Sequence, residues 1–101
     1  MSVKNISVQQ LATLDAPQVI DVREPFEYQT SHAPGAVNIP LGEIAATTAI
    51  RPDRPVHVIC QSGGRSARAT EVLQARGFDA INVDGGTSAW IGAGLPTEPG
   101  R

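Results

Sequence analysis

The stretch Cys60-Gln-Ser-Gly-Gly-Arg65-Ser66 brings together residue types that can do nucleophilic chemistry on a sulfur-bearing or oxygen-bearing anion. A cysteine ends the apolar run Val56-His-Val-Ile59. Four residues follow, Gln61 to Gly64, two of them glycine, and Arg65 opens a segment of helical periodicity. Glycines let the backbone curl with its N–H groups pointing inward, where side chains would obstruct them. A helix N-terminus adds unpaired N–H groups and positive partial charge. Both favour an anion at the cysteine sulfur, so the Cys60 thiol is expected to have a lowered pKa and to react as the thiolate. Arg65 is near enough in sequence to reach an oxyanion held over the same cradle, and Arg68, three residues on, is read the same way. Gln61, Ser62, Gly63, Gly64 and Ser66 complete the expected substrate-binding ring, with Ser62 and Ser66 doubling as helix caps. The plainer alternative for Cys60 is a small buried hydrophobe at a strand end. The glycine-rich turn and the arginine beside it weigh against that reading.

The elements that must position this loop are short. Ser7-Val-Gln-Gln10 has capping-box spacing, with Val8, Leu11 and Ala12 as the apolar face of a short helix. Four strands are expected, at Val19–Val22, Ala36–Ile39, Val56–Ile59 and Ala80–Val83. Pro25 suits the first turn of a helix carrying Phe26 and Tyr28, Leu41 to Ala46 reads as a brief helix, and Arg65 to Arg76 as a longer one stopped by Gly77. Thr87 to Ala93 fits a short helix containing Trp90, after a break at Gly85-Gly86. Strands alternating with helices predict an α/β fold, a small parallel sheet flanked by helices on both faces. Right-handed crossovers place every strand-to-helix loop at the carboxyl edge of that sheet, where such folds bind ligands. The 101 residues make one domain, with 96–101 as a flexible tail.

Composition narrows the function classes. Forty-one per cent of residues are hydrophobic and 18% charged, which is globular. The net charge of −2 offers no basic excess for nucleic acid or anionic lipid. Lys4 is the sole lysine among the eight cations. The rest are guanidiniums, which suit bidentate oxyanion binding. One cysteine allows no internal disulfide and no multi-cysteine zinc site. No segment approaches the roughly 20 apolar residues needed to span a bilayer. Met1 to Gln10 lacks an apolar core for a secretory signal, so a soluble, cytoplasmic protein is expected.

Four blocks in order resemble the single-domain rhodaneses, the thiosulfate-type sulfurtransferases: Val19-Ile-Asp-Val-Arg-Glu24, His32-Ala-Pro-Gly-Ala-Val-Asn-Ile-Pro40, the Cys60–Ser66 loop, and Val83-Asp-Gly-Gly-Thr-Ser-Ala-Trp90. The likeness runs from about Ile6 to Leu95. Ser31 and Ala33 depart from the family's usual glycine before, and frequent isoleucine after, the histidine. The resemblance implies a rhodanese-like three-layer fold and a two-step reaction. The Cys60 thiolate takes the outer sulfur of a donor such as thiosulfate, assisted by Arg65, and the resulting persulfide passes it to a thiophilic acceptor. That acceptor is cyanide in an assay and a thiol or protein in the cell. It implies no metal and no organic cofactor. Asp21, Arg23 and His32 are expected to support the site structurally. His57 and Trp90 are read as structural and core, Phe26 and Tyr28 as core and rim, and Gly85-Gly86 as a turn needing positive φ that also shapes the pocket wall.

Three rival functions remain open on sequence alone. A phosphatase or arsenate reductase uses the same cysteine, cradle and arginine, but the related cell-cycle phosphatases carry one residue more between cysteine and arginine. A ring of four suits one sulfur atom better than a phosphate. A non-catalytic binding module would be favoured by loss of Cys60 or Arg65, and both are present. A persulfide carrier loaded by a protein donor would use the same cradle. A persulfide on an exposed Cys60 would also be open to oxidation.

Overall fold

The computed structural model describes residues 3–100. Met1 and Ser2 at one end, and Arg101 at the end of the expected tail, lie outside the described residues. In chain order the elements are β1 (Lys4–Ile6), α1 (Val8–Ala12), β2 (Gln18–Asp21), α2 (Pro25–Thr30), β3 (Val37–Asn38), a 3-10 turn (Leu41–Glu43), β4 (Val56–Ile59), α3 (Gly64–Ala75), β5 (Ala80–Val83) and α4 (Gly86–Gly92). The five strands form one parallel sheet in the order β1-β5-β4-β2-β3.

Side-chain alternation along the strands builds two cores. Ile20, Val22, Val56, Val58 and Ala80 face Ile44, Ala69 and Leu73 on one side. Val19, Ile59 and Val83 face Val8, Leu11, Tyr28 and Trp90 on the other. Helix α3 and the 3-10 turn therefore cover one face, and α1, α2 and α4 cover the opposite one. This is the three-layer rhodanese-like α/β fold. All four residues of β4 are buried, as a central strand covered on both faces requires.

Local signals hold where side chains cap backbone groups. The Ser7 hydroxyl accepts from the Gln10 N–H, and the Gln10 side chain accepts from the Ser7 N–H, both at 3.0 Å. Pro25 stands at the start of α2. Five expectations change. Phe26, expected in the core, is exposed, and Tyr28, expected at the rim, is buried in the core beside Val19 and Trp90. A fifth strand, β1, pairs with β5 at the sheet edge. Its sequence Lys-Asn-Ile holds one apolar residue, so pairing rather than pattern makes it a strand. The strand expected over Ala36–Ile39 shrinks to Val37–Asn38, an edge pair whose Val37 side chain is exposed. The brief helix expected over Leu41–Ala46 is a single 3-10 turn. The expected loose tail is tied back. His32 and Glu98 exchange backbone hydrogen bonds at 2.9 Å, and the Gly100 N–H donates to Gln29 O at 2.7 Å. Among the described residues no helix is long and apolar enough to cross a membrane.

Candidate active site

Parallel strands bring their carboxyl ends to one edge, so Asp21 of β2 and Ile59 of β4 stand side by side in register. Cys60 leaves β4 there. The loop beyond it is pinned from behind by the start of α4. The Thr87 N–H and hydroxyl both donate to Cys60 O, at 2.8 and 3.0 Å, and the Ser88 N–H donates to Gln61 O at 2.9 Å. Gly86 makes this approach possible. Its φ is +61°, and a Cβ there would lie 2.5 Å from Cys60 O and 2.7 Å from Gln61 C and O. Gly63, at φ +111°, reverses the chain into α3.

With two of its carbonyls turned toward α4, the loop gives its N–H groups to the sulfur. The Gly63 N–H donates to Cys60 Sγ at 3.1 Å. Burial pushes the Cys60 thiol pKa up, but the Ser66 hydroxyl and the N–H groups of Ser66, Gly63 and Ser62 outweigh it, and the net shift is downward. Cys60 is only 1% exposed, so the exposed nucleophile expected from sequence is instead a covered one. The Ser66 hydroxyl has one proton to give. Its shortest contact is Asn82 Oδ1 of β5, at 2.6 Å, so the sulfur and Asn82 compete for that proton.

Arg65 does not stand free for a ligand. Its Nη1 and Nη2 donate to Glu27 Oε1 and Oε2 of α2, at 2.7 and 2.9 Å. This bidentate pair holds the Glu27 carboxyl down from 4.5 to about 2, against the opposing pull of partial burial. It also raises the Arg65 pKa further. Arg23 is likewise spoken for. It is buried, with Nη2 2.8 Å from Asp21 Oδ2 and Nε 3.0 Å from Asp21 Oδ1, and its Nη2 also donates to Ser31 O at 2.8 Å. Its Nη1 donates to Gln61 Oε1 at 3.0 Å, and Gln61 Nε2 donates to Ser88 Oγ at 2.8 Å. Gln61 thereby ties β2 and α4 to the loop.

Beside the loop opens a cavity of about 290 Å³, walled by Arg23, Glu27, Gln61 and Thr87 and rimmed by Phe26 and Ile91. Ser62 and Gly64 are exposed on the loop. Arg68, expected beside the loop, is not there. It lines a separate groove with Leu41, Glu71 and Val72. Three residues along a helix advance it nearly a full turn away from the N-terminus, so helical rise carries it past the loop. His32 has its partners elsewhere: its ring stacks on Tyr28 at 3.7 Å, and its Nδ1 lies 2.8 Å from Tyr28 O. Glu27, Asn82 and Thr87 escaped the sequence reading. For Glu27 a signal existed, since an acid in the first turn of the helix after β2 must lie at the carboxyl edge.

Comparison with known proteins turns this arrangement into a family assignment. The family model for the Rhodanese-like domain matches residues 7–93. The chain belongs to the rhodanese family. Among relatives of this rhodanese domain, the thiosulfate sulfurtransferase GlpE of Pseudoalteromonas translucida is 36% identical over 98 residues, covering 92% of this chain and 93% of that protein. YqhL of Bacillus subtilis is 44% identical over 77 residues, covering 74% of this chain and 61% of its own length. The chain spans about half the length of further curated relatives it matches. The crystal structure of a rhodanese-related protein from Thermoplasma volcanium superposes with a TM-score of 0.89 at 35% identity, covering 94% of this chain and 97% of that one. The rhodanese domain thus has thiosulfate sulfurtransferases among its relatives, and that chemistry needs a sulfur donor and a sulfur acceptor.

Proposed function

We propose that the chain moves sulfane sulfur from thiosulfate or a similar donor to a thiophilic acceptor through a persulfide on Cys60. The carrying observation is the covered thiol with lowered pKa, 3.1 Å from the Gly63 N–H, at the end of β4. The Cys60 thiolate attacks the outer sulfur of thiosulfate. A Cys60–sulfur bond forms, the donor's sulfur–sulfur bond breaks, and its electron pair leaves with sulfite. The persulfide's terminal sulfur then sits among the loop N–H groups until an acceptor nucleophile, cyanide in an assay and a thiol or protein in the cell, removes it and restores the thiolate. Arg65 serves an anionic donor only by exchanging its Glu27 partner for it, Gln61, Ser62, Gly63, Gly64 and Ser66 supply the cradle, and Asp21 and Arg23 brace it. A loop of only four residues between Cys60 and Arg65 fits this better than phosphate chemistry.

Intact mass before and after thiosulfate tests the reading, with a cyanide chase and a Cys60→Ser control. Gain of one sulfur atom, lost to cyanide and missing in the control, is the expected result. No gain, with the thiol still open to alkylation, rejects thiosulfate as donor and favours loading by a protein persulfide.

A further inference from the structure

The two guanidiniums at the loop are each matched by a carboxylate. Arg65 gives Nη1 and Nη2 to Glu27, and Arg23 gives Nε and Nη2 to Asp21. Two cations face two carboxylates, so the site is neutral before Cys60 ionises and carries one negative charge afterwards. A thiosulfate dianion approaching that thiolate meets no uncompensated cation among these four residues. To gain the Nη edge of Arg65 it must displace a carboxylate that accepts two short charge-assisted bonds and a third, from the Glu24 N–H at 2.9 Å. The cavity beside the loop has another character. Phe26 and Ile91 are 71% and 50% exposed at its rim, the Arg23 and Glu27 side chains in its wall are already paired with Asp21 and Arg65, and Thr30, Ser31 and Thr87 add neutral polar groups. An uncharged organic group with a few hydrogen-bonding atoms fits such a wall, and a small inorganic dianion gains little from it.

We infer that Glu27 determines donor specificity: by occupying Arg65 it turns the loop against dianionic donors and toward sulfane sulfur on an uncharged organic carrier, an organic persulfide whose body lies against Phe26 and Ile91. The inference rests on the persulfide chemistry proposed above. The loading step balances without an added oxidant. The Cys60 thiolate attacks the terminal sulfur of R–S–SH, the donor's sulfur–sulfur bond breaks, and its electron pair and the proton leave together as R–SH, with Cys60 left as the persulfide anion.

The test compares loading of the full chain, wild type and Glu27→Gln, by time-resolved intact mass. The donors are thiosulfate and the persulfide of N-acetylcysteamine, generated in situ. Removing the carboxylate frees the Arg65 fork, so the ratio of thiosulfate to persulfide loading rates is expected to rise about tenfold in the variant. An unchanged or falling ratio overturns the role of Glu27. Salt provides a reading on the wild type alone. Repulsion between thiosulfate and a compensated site is screened, so thiosulfate loading should speed up with added potassium chloride, whereas slowing would mark an accessible cation and overturn the inference. If wild type gains sulfur from neither donor, the sulfur-transfer reading fails and the inference falls with it. Gain from both donors with no effect of Glu27→Gln removes the inference alone.

Discussion

The Ser66 hydroxyl donates to Asn82 Oδ1 at 2.6 Å, and the direction of that bond is imposed from the sheet edge. Val3 O accepts from Asn5 Nδ2 at 3.2 Å, and Asn5 Oδ1 accepts from Asn82 Nδ2 at 2.9 Å. With its NH₂ group committed to Asn5, Asn82 can offer Ser66 only its oxygen. The buried Asn82 therefore draws on the single proton that Ser66 would otherwise give to the Cys60 sulfur. Asn82→Leu is expected to lower the Cys60 thiol pKa further, at a stability cost of about 1 kcal/mol for the lost hydrogen bonds. The pH dependence of thiolate absorbance or of alkylation rate measures it, and a raised pKa would refute the competition.

Arg65→Ala removes the fork and leaves Glu27 as an unpaired carboxylate beside the thiolate. Thiosulfate use should weaken chiefly through apparent donor affinity, by about tenfold or more, with a smaller change in turnover. Steady-state kinetics with cyanide as acceptor decide this. An unchanged apparent affinity would mean that Arg65 does not serve the donor.

The Glu27–Arg65 pair also predicts the acid limb of stability. Glu27 titrates lower in the fold than its ordinary value, so the pair's contribution is complete above 4.5 and is lost as pH falls through about 2. The pair is partly exposed, 21% at Glu27 and 37% at Arg65, which limits the contribution to about 1 kcal/mol. Urea midpoints measured from neutral to strongly acid pH should fall less steeply for Glu27→Gln than for wild type. Parallel curves would show that the pair adds nothing.

Gly86 has no room for a side chain. Gly86→Ala puts a Cβ against Cys60 O and the Gln61 carbonyl, at a φ of +61° that alanine rarely adopts. The expected loss is about 2 kcal/mol or more, together with slowed sulfur loading because the loop shifts off α4. Denaturant midpoint and Cys60 persulfide yield should fall together. Full stability in the variant would contradict the close approach.

Much of the architecture was legible along the chain because local causes produce it. The capping box at Ser7, Pro25 at the head of α2, the apolar runs of β2, β4 and β5, and glycines at the ends of α3 and before α4 act through near neighbours. The placement of Cys60 at the carboxyl edge follows from strand direction. β1 was not legible, since Lys4, Asn5 and Ile6 become a strand only against β5. The tail was not either, because Glu98 and Gly100 are held by His32 and Gln29, distant in sequence.

By itself, the sequence determined the family, the α/β layering and a cysteine followed by an N–H-rich turn, all set by spacing over a few residues. Tertiary structure decided how the charges are spent. Arg65 meets Glu27 across 38 residues, Arg23 reaches Gln61 across a like span, and Asn82 reaches Ser66 across 16. Sequence separation carries no information about which carboxylate fills a guanidinium's fork or which acceptor takes a hydroxyl's proton. Those outcomes depend on strand order and on how α2 and α4 stand over the edge, and they set whether the loop meets an anion as a cation or as a neutral surface.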